Sequence, residues 1–307
     1  MRYRSANIHY QEKYGEKVYK LALKGGTTCP VRDGLKDTRG CIFCSGEGSG
    51  DFAAETIDEA IARLSGKQTG RKYIAYFQSF TGTYGDPAYF RKRYLEAAAD
   101  ERIAGLSIAT RPDCLPTEML DLLAELARIK PLTVELGLQT IHERTAAFIR
   151  RGYPLAEFDR AVTALRACGA EVIVHLILGL PGETKEDMLA SVRYLNGCDI
   201  QGVKLQLLHV LAGTDLGELY LAGAFGPADG SFPFTLPAYA DLICDCIGAL
   251  KKDITVHRIT GDAPKRILLS PTWSGNKKLV LNTIRKRLED RGITQGCSLP
   301  DQISMAP

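Results

Sequence analysis

Three thiols stand close together near the start of the chain. Cys29, Cys41 and Cys44 lie within sixteen residues, eleven residues apart and then two, in "TTCPVRDGLKDTRGCIFCSGEG" (27–48). Glycines and charged side chains surround them, and no fourth cysteine or histidine stands nearby. A structural zinc ion wants four ligands in a closed shell, so it would need one from a distant part of the chain. An iron–sulfur cubane also normally takes four thiolates, and three leave one iron open to receive a substrate or cofactor. The remaining reading is ungrouped free thiols in a loop, which are a chemical liability. A cluster suits the context. Glycine N–H groups and the bases Arg32, Lys36 and Arg39 would offset its negative charge, and Phe43, between two of the cysteines, would shield it from solvent.

The elements that must position this loop are legible as alternating periods. Short β-branched or aromatic runs at 17–23, 72–79, 102–110, 132–138, 170–178 and 202–209 read as strands. Helical patterns lie between them at 55–65, 87–99, 116–128, 154–168 and 184–195, with Pro116 and Thr184 at helix starts and Gly169 as a C-cap. Such alternation implies parallel βαβ units with right-handed crossovers. No Gly-rich phosphate turn follows the first strand, which leads into the cysteine loop instead. The expected fold is α/β, an incomplete (β/α)6 TIM-like barrel over residues 1–213, with its chemistry at the C-terminal ends of the strands. Residues 214–307 then read as an extension packed on the barrel. It has helices at 214–225 and 236–252, a strand at 254–260 and a basic helix, "KKLVLNTIRKRLEDR".

Composition narrows the class. The chain has 307 residues, 45% hydrophobic and 24% charged, an ordinary globular balance. No apolar run approaches the ~20 residues that cross a bilayer. The N-terminus is polar without the apolar core of a signal peptide, so a cytoplasmic location and no membrane partner are expected. A reducing compartment disfavours disulfides, and Cys114, Cys168, Cys198, Cys244, Cys246 and Cys297 read as small buried hydrophobes. The net charge is +3, yet residues 251–291 hold eleven Lys and Arg against four acids. A basic segment on a mildly acidic body is a candidate polyanion footprint. Its bland alternative is an amphipathic helix with a solvated basic face.

A first barrel strand followed by Cys-x11-Cys-x2-Cys resembles the radical S-adenosylmethionine (SAM) enzymes, and the long first spacing resembles their elongator-like subgroup, including the YtqA/YhcC-like family. The resemblance runs from "YGEKVYKLAL" through "HRITGD". It implies that Cys29, Cys41 and Cys44 hold a [4Fe–4S] cluster whose fourth iron is chelated by SAM. One electron passed to the sulfonium would then give methionine and a 5′-deoxyadenosyl radical. Later motifs fall at strand ends. "YFQSFTGTYG" stands where many members carry Gly-Gly-Glu near the SAM amine, and its matching positions Gln78, Ser79 and Thr81 lack the carboxylate. "IATRPDCLP" matches the family's Thr-Arg-Pro-Asp and supplies Thr110, Arg111 and Asp113. In "VELGLQT", Glu135 and Gln139 would reach the SAM ribose and carboxylate. The residue-based alternative for Glu135 is an ion pair with Arg111, because a carboxylate in an apolar strand needs a partner. Ile177 and Gly179 of "HLILGLPGET", and Leu208 and His209 of "QLLHV", would lie near adenine. Tyr76, Gln78, Tyr84 and Lys204 are candidates for the substrate side, and His175 reads as a satisfied polar residue.

The same resemblance implies a tRNA wobble uridine side chain as substrate and a one-electron donor such as flavodoxin or ferredoxin as partner. The basic segment supports an RNA on its own terms. Arg258, Lys265, Arg266, Lys277, Lys278, Arg285 and Arg287 are candidate phosphate contacts, with Trp273 as a surface for a stacked base. The alternatives are a peptide or small metabolite for the same chemistry, or a non-catalytic metal-bearing RNA-binding protein.

Overall fold

Runs rich in Val, Ile, Leu and Tyr become parallel strands where helices cover both faces of a sheet. The computed structural model describes residues 2–64, 71–224, 232 and 234–300. Its main sheet holds β1 (Tyr19–Leu23), β2 (Tyr73–Phe77), β3 (Ile103–Thr110), β4 (Leu132–Gln139), β5 (Glu171–Leu178), β6 (Gly202–Leu207) and β8 (Thr255–Arg258), side by side in that order. Every neighbouring pair is parallel. The sheet curls into a half-barrel. The expected six strands are therefore seven: the strand assigned to the C-terminal extension pairs with β6 and continues the sheet. A separate ribbon pairs β7 (Val210–Leu211) antiparallel with β9 (Leu268–Ser270).

Helices α2 (Ile57–Arg63), α3 (Pro87–Ala99), α4 (Thr117–Ile129), α6 (Leu155–Ala167) and α7 (Lys185–Leu195) are the crossovers that the sequence pattern marks. Residue 65, at the end of the first of these patterns, lies outside the described residues. Local chemistry starts and stops them. The Thr184 hydroxyl accepts from the Asp187 N–H while the Asp187 carboxylate accepts from the Thr184 N–H, a capping box. Gly169, past the end of α6, takes φ 82°, which only glycine adopts freely. Two helices escaped the periodicity. α1 (Ala6–Tyr14) buries only Tyr10 and so has almost no apolar stripe, and α5 (Glu143–Phe148) has six residues. Ser5 and Gly15 cap α1 at its two ends.

One continuous core runs through the sheet and its helices, from Leu21 and Phe77 to Ile284 and Leu288. After α8 (Asp215–Leu221), α9 (Leu236–Ala249) and α10 (Lys277–Asp290) pack together, and α9 packs on α7. Cys244 and Cys246 are buried in α9 and Cys114 is buried after β3, whereas Cys297 is exposed rather than part of the core. No helix of the described residues is long and apolar enough to cross a membrane.

Candidate functional site: a cavity at the strand ends

The loop after β1 is anchored before it reaches its cysteines. The Gly25 N–H donates to the Ser79 hydroxyl (2.8 Å) and the Gly26 N–H to the Ser79 carbonyl (3.0 Å). A Cβ on Gly26 would lie 2.3 Å from the Thr81 carbonyl oxygen, so only glycine permits this approach. Ser79 therefore serves the loop and does not line the cavity, unlike its neighbours Gln78 and Thr81. Further along, Arg32 donates to the carbonyls of Cys44 (3.2 Å) and Ser45 (2.7 Å) and lies over the Phe80 ring. Lys36 ion-pairs with Asp113 and donates to the Gly152 carbonyl (2.9 Å).

Cys29, Cys41 and Cys44 then line one cavity of about 850 Å³ at the C-terminal ends of the strands. Among the described residues no three Cys, His, Asp or Glu side chains surround a common point as a single ion requires. A cubane asks something different: each cysteine takes its own iron at a separate corner. Burial pushes the Cys41 thiol up to about 12, with Cys44 and Cys29 adding to the rise. Burial also raises Cys44. Thiolates here need positive charge beside them, which iron supplies. The donor set thus fits an iron–sulfur cluster with Cys29, Cys41 and Cys44 as ligands.

The strand ends contribute the rest of the wall. Thr110, Arg111, Gln139, Ile177, Leu208 and His209 all line the cavity. Gln139 is not glycine yet has φ 64°, at a register shift between β4 and β5. The Tyr153 hydroxyl donates toward Gly137 O and lies 3.1 Å from Gln139 Oε1. Such strain persists only where its surroundings impose it. His209 faces Ser274, whose hydroxyl donates to the Pro271 carbonyl (2.7 Å), so His209 Nε2 carries the proton it gives to Ser274 (3.0 Å). Burial pushes that imidazole down to about 4. A Cβ on Gly261 would meet the His209 ring at 2.1 Å, so this glycine lets the C-terminal segment close over the strand ends.

Several expected residues stand elsewhere. Asp113 pairs with Arg111 and Lys36 beside the cavity. Gly179 leaves room for Phe232 and Phe234, which a Cβ would meet at 2.9 and 2.8 Å. Tyr84 faces Asp33 outside the cavity. Arg111 does not pair with Glu135. Instead Glu135, almost fully buried, forms the hub of a polar cluster at the cavity floor. Its Oε1 accepts from Lys20 and Ser107 (3.1 Å), and its Oε2 from His175 (2.7 Å) and Lys204. Lys204 also donates to the Tyr76 hydroxyl (3.2 Å), and both ammonium groups lie against the Tyr76 ring, 4.9 Å (Lys20) and 4.7 Å (Lys204) from its centre. Burial alone would raise the Glu135 carboxyl, but Lys20 and Lys204 hold it well below its usual range. Burial lowers His175 to about 4, so it is neutral and donates. Lys204 falls to about 7 through burial, with Lys20 and Arg258 pushing down against the opposing pull of Glu135. Sequence reasoning missed Lys20 and Ser107. The available signal was a lysine inside the apolar run "KVYKLAL".

The basic segment divides. Arg258 (3.3 Å) and Lys277 (2.9 Å) share Asp262, and Arg258, Lys265 and Lys277 line the cavity. Arg287 grips Asp241 through two bonds of 2.6 and 2.7 Å, and Arg291 reaches Asp241 and Asp245, so both fasten α10 to α9. Lys265, Arg266, Lys278 and Arg285 are exposed and have no acidic partner among the described residues. Trp273 is not a free stacking surface. Its indole N–H donates to the Phe234 carbonyl (2.8 Å) and its ring packs on Tyr239.

A parallel half-barrel whose first loop brings three thiols to a cavity at its strand ends defines a class. Residues 38–195 match the family model of the radical SAM superfamily, and residues 200–290 match the radical SAM C-terminal domain. The chain belongs to the radical SAM superfamily, and its cofactors are a [4Fe–4S] cluster and SAM. Within it the chain belongs to the family of the uncharacterised protein YtqA of Bacillus subtilis (strain 168), to which it is 42% identical over 96% of its own length and 92% of the relative's. The tRNA uridine(34) acetyltransferase of Methanocaldococcus jannaschii is 28% identical over 66% of this chain and 36% of its own length. In fold, the chain is similar to an N-terminally truncated archaeal Elp3 of Methanocaldococcus infernus. The TM-score is 0.67 at 19% identity, covering 91% of this chain and 64% of that one.

Proposed function

We propose that the protein is a radical SAM enzyme that modifies the side chain of a tRNA wobble uridine, with Cys29, Cys41 and Cys44 as the cluster ligands. The observation that carries this reading is the cavity itself: the three thiols form one wall, while Arg258, Lys265 and Lys277 from the C-terminal segment form another. Cations on that wall suit phosphates beside a base extruded toward the strand ends. The distant likeness to a tRNA uridine(34) acetyltransferase supports the same substrate class. Bound cluster and SAM would supply a primary carbon radical that abstracts hydrogen from an unactivated carbon.

The chain's own residues would orient and enclose. Arg32 and the Lys36–Asp113–Arg111 chain hold the cysteine loop against the ends of β3 and β4. Gln78, Thr81, Thr110, Arg111 and Gln139 would present polar groups to SAM, and Ile177, Leu208 and His209 would pack beside its adenine. Tyr76 and Lys204 would face the substrate from the floor. The test is anaerobic reconstitution with iron, sulfide, SAM and dithionite, followed by assay of 5′-deoxyadenosine with and without unmodified-position tRNA. Formation that rises with tRNA, together with a changed uridine mass, supports the reading. Formation indifferent to tRNA favours a small metabolite or peptide, and a colourless protein holding zinc removes the radical chemistry.

A further inference from the structure

The polar cluster at the cavity floor holds more basic groups than a structural ion pair needs. Glu135 supplies one negative charge and is already saturated by Lys20, Ser107, His175 and Lys204. Among the described residues, the other charged or titratable groups facing Lys204 are Lys20 on β1, Tyr76 on β2, His175 on β5 and Arg258 on β8. His257 and Tyr10 stand behind them. Burial lowers both His175 and His257, which are neutral there, and Arg258 already answers Asp262. One carboxylate thus faces two lysine side chains at the floor of the cavity. Lys20 lies behind the wall, while Lys204 lines the cavity with its side chain only 6% exposed. Lys204 has two acceptors among the described residues, Glu135 and Tyr76, so one of its three N–H bonds remains to be used. Two residues along β6, Gln206 lines the same cavity, and its amide bonds to none of the described residues.

We infer that the cavity floor, formed by Lys204, Tyr76 and Gln206, binds a carboxylate group of the substrate. The sign follows from the basic lining, since a cation placed here would meet Lys204, Lys20 and Arg258 together, whereas a carboxylate supplies the second negative charge that lets Lys204 hold its proton. The size follows from the donors. One ammonium N–H and one amide N–H pair suit the two oxygens of a monoanion better than a phosphate dianion, which needs more donors, while the Tyr76 phenol, held by Lys204 and Glu135, shapes the floor. Charge-assisted bonds from a buried lysine would also register the substrate carbon above the floor. A buried lysine lowered to about 7 completes the argument, because an arriving carboxylate restores its ammonium form and so takes up a proton. This inference rests on the cavity being the reaction chamber of a radical SAM enzyme.

The experiment counts protons. Reconstituted holoprotein, saturated with SAM so that the cofactor's own carboxylate does not compete, is mixed with acetate or glycolate in weak buffer at pH 8 with phenol red. Inorganic phosphate forms a parallel arm. Wild type should take up about 0.9 proton per chain at carboxylate saturation, since a group titrating near 7 is about one-tenth protonated at pH 8. Carboxylate affinity should fall about tenfold per pH unit above 7. Lys204→Met should lose the uptake, and Lys204→Arg, with a permanent charge, should bind acetate as a saturable heat without uptake. Equal uptake in Lys204→Met, no uptake in wild type, or phosphate binding as tightly as acetate would overturn the carboxylate site. Formation of 5′-deoxyadenosine by the same wild-type sample is scored separately. A protein that cleaves SAM yet takes up no proton loses this inference and keeps its class.

Discussion

Lys204→Met should make the protein more stable near pH 7, although it removes a side chain bonded to two others. The amine is lowered from 10.5 to about 7, and at about 1.4 kcal/mol per pH unit that fall is worth roughly 5 kcal/mol. This is the ceiling on what folding loses by taking the group out of water at pH 7. Methionine has similar volume and no charge, and Glu135 would keep Lys20, His175 and Ser107 as donors. About half the ceiling, on the order of 2 kcal/mol, is the expected gain, or some 4–8 °C in melting midpoint. The pH dependence has a definite sign. The folded value lies below the unfolded one, so between 7 and 10.5 the unfolded chain binds more protons and wild-type stability rises with pH. The advantage of Lys204→Met should therefore be greatest at or below pH 7 and shrink toward pH 10. Glu135→Gln should do the reverse. It leaves the Lys20 ammonium without its carboxylate and removes the group that supports the Lys204 proton, at a cost of about 3–5 kcal/mol. Because Glu135 is held below its usual range, that cost applies above the ordinary carboxylate range and fades as pH falls through the depressed folded value. Urea unfolding followed by far-ultraviolet circular dichroism, at equal cluster loading and at pH 7, 8.5 and 10, measures both. A Lys204→Met variant less stable than wild type at pH 7, or an advantage that grows with pH, refutes the reasoning.

Three further outcomes are expected. Anaerobically purified protein should be brown with about four iron and four sulfide per chain. Joint replacement of Cys29, Cys41 and Cys44 by Ala should abolish both, whereas Cys297→Ser should leave the metal content as it was. Asp113→Asn removes the acceptor that Arg111 and Lys36 share, and bonds to charged groups are worth about 1.5–3 kcal/mol. Iron loss to a chelator should accelerate at least about tenfold, and an unchanged rate would reduce the pair to a surface contact. Replacing Lys265, Arg266, Lys278 and Arg285 by Gln should flatten the log–log salt dependence of tRNA binding by about 3, at roughly 0.7 per single-strand contact. Arg287→Gln should lower stability instead, because its guanidinium is committed to Asp241. Equal slopes in wild type and the fourfold variant would remove the phosphate contacts.

Much of the half-barrel was legible because parallel strands buried on both faces read as apolar runs, and each of the six expected strands appears within a few residues of its place. The seventh, "TVHR", is short and half polar, so the sequence gives no hint that it joins the sheet rather than the extension. The cysteine loop stood out by its spacing, but only the resemblance carried by the later strand-end motifs pointed to a cluster rather than zinc. What could not be read was pairing between distant charges. Glu135 looked like a partner for Arg111, whereas the fold gives Arg111 to Asp113, two residues away, and gives Glu135 to lysines on β1 and β6. The +7 of the basic segment likewise counted Arg287 and Arg291 as free, when acids on α9 already hold them. Composition records charge but not who neutralises it.

That distinction also supports the proposal that the cavity floor receives a ligand. A chain selected for stability alone would place one lysine against Glu135, or none, since apolar replacements of buried ion pairs are often neutral or stabilising. Here a second lysine, Lys204, is kept at the mouth side of the cluster, where burial and Lys20 both oppose its charge. The opposite wall shows the same bias toward enclosure. Gly261 and Gly179 each give up a side chain so that the C-terminal segment can close against His209 and against the end of β5. Radical chemistry on an unactivated carbon needs a chamber that excludes water and holds its substrate in one pose. A lysine that must share its one carboxylate with a second lysine, at the bottom of such a cavity, is best explained by a ligand that brings another carboxylate with it.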